Sequence, residues 1–189
     1  MEYGFSGATI DDVADRIRAT KGRVYHYYRS KVDLFLDVHL AAMTIMIDSL
    51  QPVFAANAPA AERLYGMAYR HAMAIMDNFA YQKVSIQGLE RPLISMATSR
   101  SDAVVDRVVE LRDQYEAMFA DVIGQGMADG SFEPGRVRLM TKPLLGALNW
   151  LTLWYRPEHE PDKAGRNEIA VALARYAVRG LRKDGGDDV

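Results

Sequence analysis

Apolar residues recur at intervals of three and four along nearly the whole chain, and no sustained period-two alternation appears, so the pattern predicts an all-α fold. The first stripe is Ile10, Val13, Ala14 and Ile17, opened by Thr9 and Asp12 in the spacing of a capping box. A second short helix starts at Thr20 and carries Val24 and Tyr28 on one face. Ser30 and Asp33 repeat the capping spacing and open a long helix through Leu34, Phe35, Val38, Ala42 and Ile45 to about Leu50.

The Pro/Ala/Asn stretch QPVFAANAPAAE breaks the pattern. Helices are predicted over Ala60–Phe79, Tyr81–Gln87, Asp102–Gly124, Val137–Tyr155 and Lys163–Leu181, with GLERPLISMATSRS, GQGMADGSFEPGR and RPEHEPDKAGR as connectors and KDGGDDV as a frayed polar tail. Val104, Val108, Leu111, Tyr115, Met118, Phe119 and Val122 share one face of the Asp102–Gly124 helix.

Composition changes this picture little; local charge changes it more. The 189 residues are 49% hydrophobic and 25% charged, with a net charge of -2, which is ordinary for a globular protein. The absence of cysteine removes disulfides, thiolate metal sites and cysteine nucleophiles, and fits a cytoplasmic location. The pattern contains neither a transmembrane run nor a signal peptide, so no membrane partner is expected. Within residues 16–31, however, Arg16, Arg18, Lys21, Arg23, Arg29 and Lys31 occur without a single Asp or Glu.

Two short helices joined at Arg18–Ala19, the second cationic at its start, make a helix-turn-helix whose second helix enters the DNA major groove. Lys21 and Arg23 stand where a bare helix prefers acids, and a phosphate or guanine edge offsets that cost. Gly22 lets backbone approach closely. Tyr25, His26 and Tyr27 can reach sugar–phosphate oxygens or thymine methyls, and Lys31 can hold another phosphate. Tyr28 reads as core.

The segment ATIDDVADRIRATKGRVYHYYRSKVDLF resembles the helix-turn-helix of the TetR family of bacterial transcriptional regulators, whose pattern runs T-T-V-x-D-I-A-x-x-A-G-V-S-K-G-T-L-Y-x-Y-F-x-S-K-x-x-L. Matching positions are Thr9, Ile10, Asp12, Val13, Ala14, Thr20, Lys21, Gly22, Val24, Tyr25, Tyr27, Tyr28, Ser30, Lys31 and Leu34. The resemblance implies double-stranded DNA as a partner, contacted by Thr9, Thr20, Lys21, Gly22, Arg23, Tyr25, His26, Tyr27 and Lys31. Arg23 replaces a common Thr and is the candidate for bidentate guanine contact; Lys21, Tyr25, Tyr27 and Lys31 suit phosphate. Arg18 stands where the family usually has Gly, which forces a non-Gly residue toward positive φ. The family's first helix precedes this motif, so the apolar stripe Ile10–Ile17 leads us to expect about 20–30 further residues upstream in the native protein.

The resemblance divides the chain into a DNA-binding head (residues 1–35), a helical ligand-binding and dimerisation domain (36–183) and a disordered tail (184–189). Nine of the ten methionines lie beyond the head. Met67, His71, Met76, Phe79, Met96, Tyr115, Met118, Phe119, Trp150 and Trp154 are candidates for an adaptable apolar pocket, or for a Met-rich core. In the family this region binds a small effector that shifts the population between DNA-competent and incompetent states, and the last two helices form a homodimer interface. Leu144, Leu148, Leu151, Ile169, Leu173, Tyr176 and Leu181 are the corresponding candidates. The N-W-x-x-x-W-Y-R-P run is similar to regulators of fatty-acid and sterol breakdown, which implies a hydrophobic effector of the acyl-CoA class. Arg70, His71, Arg91, Arg100 and Arg107 could meet its phosphates, though solvation explains each as well.

Two other readings stand beside the repressor. A ligand-binding or interaction protein that has lost DNA binding would be indifferent to duplex. An enzyme would need a catalytic constellation, and the sequence has no phosphate-binding glycine loop, no G-x-S-x-G and no triad order. His159 between Glu158 and Glu160 lacks a second ligand cluster, so neither metal nor cofactor is expected.

Overall fold

The computed structural model describes Gly7 and residues 9–87, 102–159 and 162–182. Among these residues the fold is all-helical: α1 (Ile10–Arg16), α2 (Lys21–Tyr27), α3 (Lys31–Phe54), α4 (Ala60–Asp77), α5 (Phe79–Gln87), α6 (Asp102–Ala128), α7 (Val137–Asn149), α8 (Leu151–Trp154) and α9 (Lys163–Arg179). They group into two compact units. One takes in the chain up to Thr44 with Ala80–Leu111; the other takes in Ile45–Phe79 with the chain from Arg112 onward.

In the first unit, α1 and α2 pack on each other through Ile10, Ala14 and Val24, with Ala19 and Tyr28 against them. A second cluster joins Phe35 and Leu36 of α3 to Val108 of α6, flanked by Val32, Leu40, Val84, Val104 and Val105. Residues four apart on a helix share a face, which is why Val32, Leu36 and Leu40 meet one cluster.

In the second unit, α4 and α9 pack along their lengths. Tyr69 Oη donates to Asn167 Oδ1 at 2.9 Å, and Arg166 Nη1 reaches Asp77 Oδ1 at 2.6 Å. Leu64, Met67, Ala68, Ala72 and Ile75 of α4 and Ala170, Ala174 and Ala177 of α9 are buried. The small alanines let the two backbones approach closely.

Most predicted helix ends lie within two residues of the observed ones, but three helices depart further from the pattern. The third runs past Leu50 to Phe54 and takes Pro52 inside it. Its exposed end is capped from outside: Arg63 Nη2 donates to the Phe54 carbonyl at 2.6 Å, and the guanidinium lies 5.6 Å from the centre of the Phe54 ring. The Asp102 helix continues through Gly124 and Gly126 to Ala128, because Phe132 folds back over Gly126 and donates its N–H to the Gly126 carbonyl at 2.9 Å. The expected helix Val137–Tyr155 is interrupted at Trp150, leaving α7 and the single turn α8. The expected connector 88–101 and the tail lie outside the described residues.

Candidate nucleic-acid interface and buried core site

All three expected capping interactions form in the head. Thr9 Oγ1 accepts from the Asp12 N–H at 3.1 Å, while Asp12 Oδ2 accepts from the Thr9 N–H at 2.8 Å and from its hydroxyl at 2.6 Å. These bonds hold the Asp12 carboxyl below the usual carboxylate range. Thr20 Oγ1 accepts from the Arg23 N–H at 3.3 Å, and Ser30 and Asp33 exchange reciprocal bonds of 3.0 and 3.1 Å. Each satisfies backbone donors that a helix start leaves free.

The turn between α1 and α2 is a Schellman motif. Ala19 N–H donates to the Ala14 carbonyl at 3.0 Å and Arg18 N–H to the Asp15 carbonyl at 3.2 Å. That motif needs a left-handed residue after the cap, and Arg18 takes it at φ 54°. The strain expected from replacing the usual Gly is therefore present.

This geometry presents α2 outward. Lys21, Gly22, Arg23, Tyr25, His26 and Tyr27 are all exposed, while Val24 between them is buried. His26 and Tyr27 meet edge to face, 5.3 Å between centroids. Thr9 and Thr20 are exposed at their helix starts, and Lys31 is half-buried at the start of α3. The head thus brings all nine expected DNA-contacting residues onto α2 and the helix starts around it. Gly22 differs in one respect from the sequence reading. Among the described residues, apart from its chain neighbours and the backbone of α2, no atom lies within 4 Å of the point where a Cβ would stand.

Two contacts were not legible in the sequence. Lys21 Nζ lies 2.6 Å from Asp11 Oδ2, which raises the Lys21 pKa above its ordinary value. Tyr28 is half-buried rather than core, and its hydroxyl donates to Asp37 Oδ2 at 2.6 Å. That bond and partial burial push the phenol up to about 12, so the tie between the end of α2 and α3 survives at any physiological pH.

In the second unit, Met67, His71, Met76, Tyr115, Met118 and Phe119 are buried and Phe79 is partly buried. His71, Tyr115 and Phe119 form one ring cluster with centroid distances of 5.5 to 6.3 Å. His71 Nδ1 lies 2.6 Å from the Tyr115 hydroxyl. Desolvation alone lowers His71 to about 3 and raises Tyr115 well above its ordinary value, so both are neutral. Phe79 packs edge to face on Tyr155 at 5.3 Å. Trp150 and Trp154, in contrast, are 62% and 45% exposed and stand apart from this buried set. Met96, Arg91 and Arg100 lie outside the described residues. Arg70 and Arg107 are exposed, and Arg107 pairs with Glu110 at 2.9 Å.

The expected dimer residues divide by helix phase. Leu144, Leu148, Leu151 and Leu181 are buried in the chain's own core, which leaves them little side-chain surface for a partner. Ile169 and Leu173 are half-buried, and Tyr176 is exposed. The exposed apolar side chains on these helices are instead Leu139, Trp150, Leu153, Trp154 and Tyr176. Periodicity marks an apolar stripe but does not say which neighbour it meets. His159 and Glu158 are exposed, and Glu160 lies outside the described residues.

Comparison with known proteins gives the same reading for the whole chain. Residues 1–38 match the model of bacterial regulatory proteins of the tetR family, and residues 57–181 match that of the tetracyclin repressor-like C-terminal domain. The HTH-type transcriptional repressor KstR2 of Mycobacterium tuberculosis is 27% identical over 190 residues, covering 95% of this chain and 88% of that protein. The structure of that ketosteroid transcriptional regulator superposes with a TM-score of 0.76 at 23% identity, covering 97% of this chain and 89% of the other. The TetR family regulator PfmR from Thermus thermophilus gives 0.79 at 22% identity, covering 96% and 93%. AibR in complex with isovaleryl coenzyme A and operator DNA gives 0.72 at 15% identity, covering 93% and 89%. An outward-facing cationic α2 on a capped helix-turn-helix, joined to a matching C-terminal domain, leaves one assignment: the chain belongs to the TetR family of bacterial transcriptional regulators.

Proposed function

We propose that the protein is a repressor that binds a palindromic operator as a homodimer and is released by a small hydrophobic effector of the acyl-CoA class. The observation that carries DNA binding is the exposed run of Lys21, Arg23, Tyr25, His26 and Tyr27 around a single buried anchor, Val24. Arg23 on the first turn of α2 is the base-reading residue; Lys21, Tyr25, Tyr27 and Lys31 set the register on phosphate.

Repression follows the KstR2 relatives, and the acyl-CoA class of effector follows AibR, whose structure holds isovaleryl coenzyme A together with operator DNA. The buried set Met67, His71, Met76, Tyr115, Met118 and Phe119 is the effector region, where pliable thioethers can repack around an apolar chain. The exposed Trp150, Leu153, Trp154 and Tyr176 form the homodimer contact, since large apolar groups in water favour burial against a partner. Two heads one DNA turn apart then read two half-sites.

The test is binding of the purified protein to duplex flanking its own gene, followed over a salt titration and then with octanoyl-CoA added. A regulator binds one duplex selectively, loses affinity steeply with salt, and releases it on adding effector. A ligand-binding protein without DNA function shows no duplex preference at any salt.

A further inference from the structure

His71 is wholly buried on α4, and its two ring nitrogens are unequally served. Nδ1 meets the Tyr115 hydroxyl at 2.6 Å, whereas Nε2 has no hydrogen-bond partner among the described residues. A neutral imidazole carries one proton, on either nitrogen. If Nδ1 carried it, Nδ1–H would donate to the tyrosine oxygen. Both the Tyr115 O–H and the Nε2 lone pair would then lack partners. If Nε2 carries it, Tyr115 donates to Nδ1 and the Nε2–H is the single unmet group. Each unmet buried polar group is costly, so the second arrangement prevails.

We propose that this Nε2–H is the effector-recognition donor of the C-terminal domain, and that it selects a neutral carbonyl oxygen on an otherwise apolar ligand. The proposal rests on the effector reading above and narrows it. Met67 stands one turn before His71 on the same helix face, Met118 one turn after Tyr115, and Phe119 meets the imidazole edge to face at 6.3 Å. The buried polar residues in the described chain are His39, His71, Gln82, Ser85, Thr141 and Thr152, with no Lys or Arg among them. A carboxylate buried here would have no cation, so a free fatty acid is disfavoured against a thioester or a ketone. Tyr115 acts as a positioning residue: its hydroxyl fixes the proton on Nε2.

Three probes and one spectrum test this. The probes are octanoyl-CoA, its S-octyl thioether lacking the carbonyl, and 2-decanone. Octanoyl-CoA is expected to bind roughly tenfold more tightly than the thioether, and His71→Phe to abolish the difference. Nitrogen-15 spectra of the histidine ring in the unliganded protein should show Nε2 protonated and Nδ1 bare. Tyr115→Phe should mix the two forms and lose part of the discrimination. The spectrum needs no variant, so it decides even if His71→Phe fails to fold. Binding of 2-decanone, weakened roughly tenfold by His71→Phe, with no binding of either CoA compound, would keep the carbonyl anchor and remove the acyl-CoA reading. A proton on Nδ1, equal affinity for octanoyl-CoA and the thioether, or no binding by any probe would overturn the proposal.

Discussion

The ammonium of Lys21 lies 2.6 Å from a carboxylate oxygen of Asp11, so the first cation of α2 is already paired before any phosphate arrives. Both side chains remain well exposed, at 59% and 40%. A phosphate must therefore compete with Asp11 for the lysine, and Asp11 adds a negative charge beside the DNA-facing surface. Asp11→Asn is expected to raise operator affinity about threefold at low ionic strength, with the gain shrinking as salt screens the pair. Fluorescence anisotropy with a labelled duplex measures it; an unchanged affinity would mean that Lys21 does not approach phosphate.

Gly22 separates folding from binding. Alanine there meets open space and favours the helix by about 1 kcal/mol relative to glycine, so Gly22→Ala should leave the melting temperature unchanged or higher. The same methyl group would stand on the exposed face of α2 proposed to meet DNA. Weaker operator binding in a variant at least as stable as the parent would locate that face on α2 without disturbing any charge.

His71 makes stability depend on pH. Its folded pKa is depressed to about 3 from 6.5, so between those values the unfolded chain binds the proton and the folded chain does not. Stability from this group is therefore present above pH 6.5 and falls by about 1.4 kcal/mol per unit as pH drops through that window. Denaturant melts of the parent and of His71→Gln between pH 4.5 and 7.5 should diverge, the variant losing this slope. Parallel curves would show that His71 is accessible to protons in the folded state.

Phe132 covers Gly126, and a Cβ at that position would overlap its ring. Phe132 is itself fully buried and cannot swing into solvent without exposing its ring. Gly126→Ala is expected to cost about 1–3 kcal/mol of stability, read by thermal or urea unfolding, while the helix preference of alanine works in the opposite direction. A stabilised variant would mean that the ring relocates freely.

Local features were the legible ones. The capping boxes at Thr9–Asp12 and Ser30–Asp33, the Thr20 cap and the strain at Arg18 each depend on residues within a few positions, and each appears where the sequence puts it. The place of the outward-facing α2 followed from them. Contacts between distant residues were hidden: Lys21 and Asp11 are ten apart, and His71 and Tyr115 are 44 apart. Helix ends moved for a related reason, since Arg63 caps Phe54 from nine residues away and Phe132 shelters Gly126 from six, beyond the three- and four-residue spacing that the pattern reads. Leu144, Leu148 and Leu151 show the limit of periodicity most plainly. Their stripe is real, but it faces the chain's own core, and the exposed groups lie one phase away at Trp150, Leu153 and Trp154.

The most direct test of the account is the sequence preference of an Arg23→Ala variant. Affinities of parent and variant are measured for the duplex flanking the gene and for a scrambled duplex of equal length, at one fixed salt concentration. The parent is expected to prefer its own duplex by at least about a thousandfold, and the variant to lose roughly tenfold or more of that ratio, with its affinity for the scrambled duplex little changed. A variant that keeps the full preference, or a parent that shows none, would contradict base reading by α2.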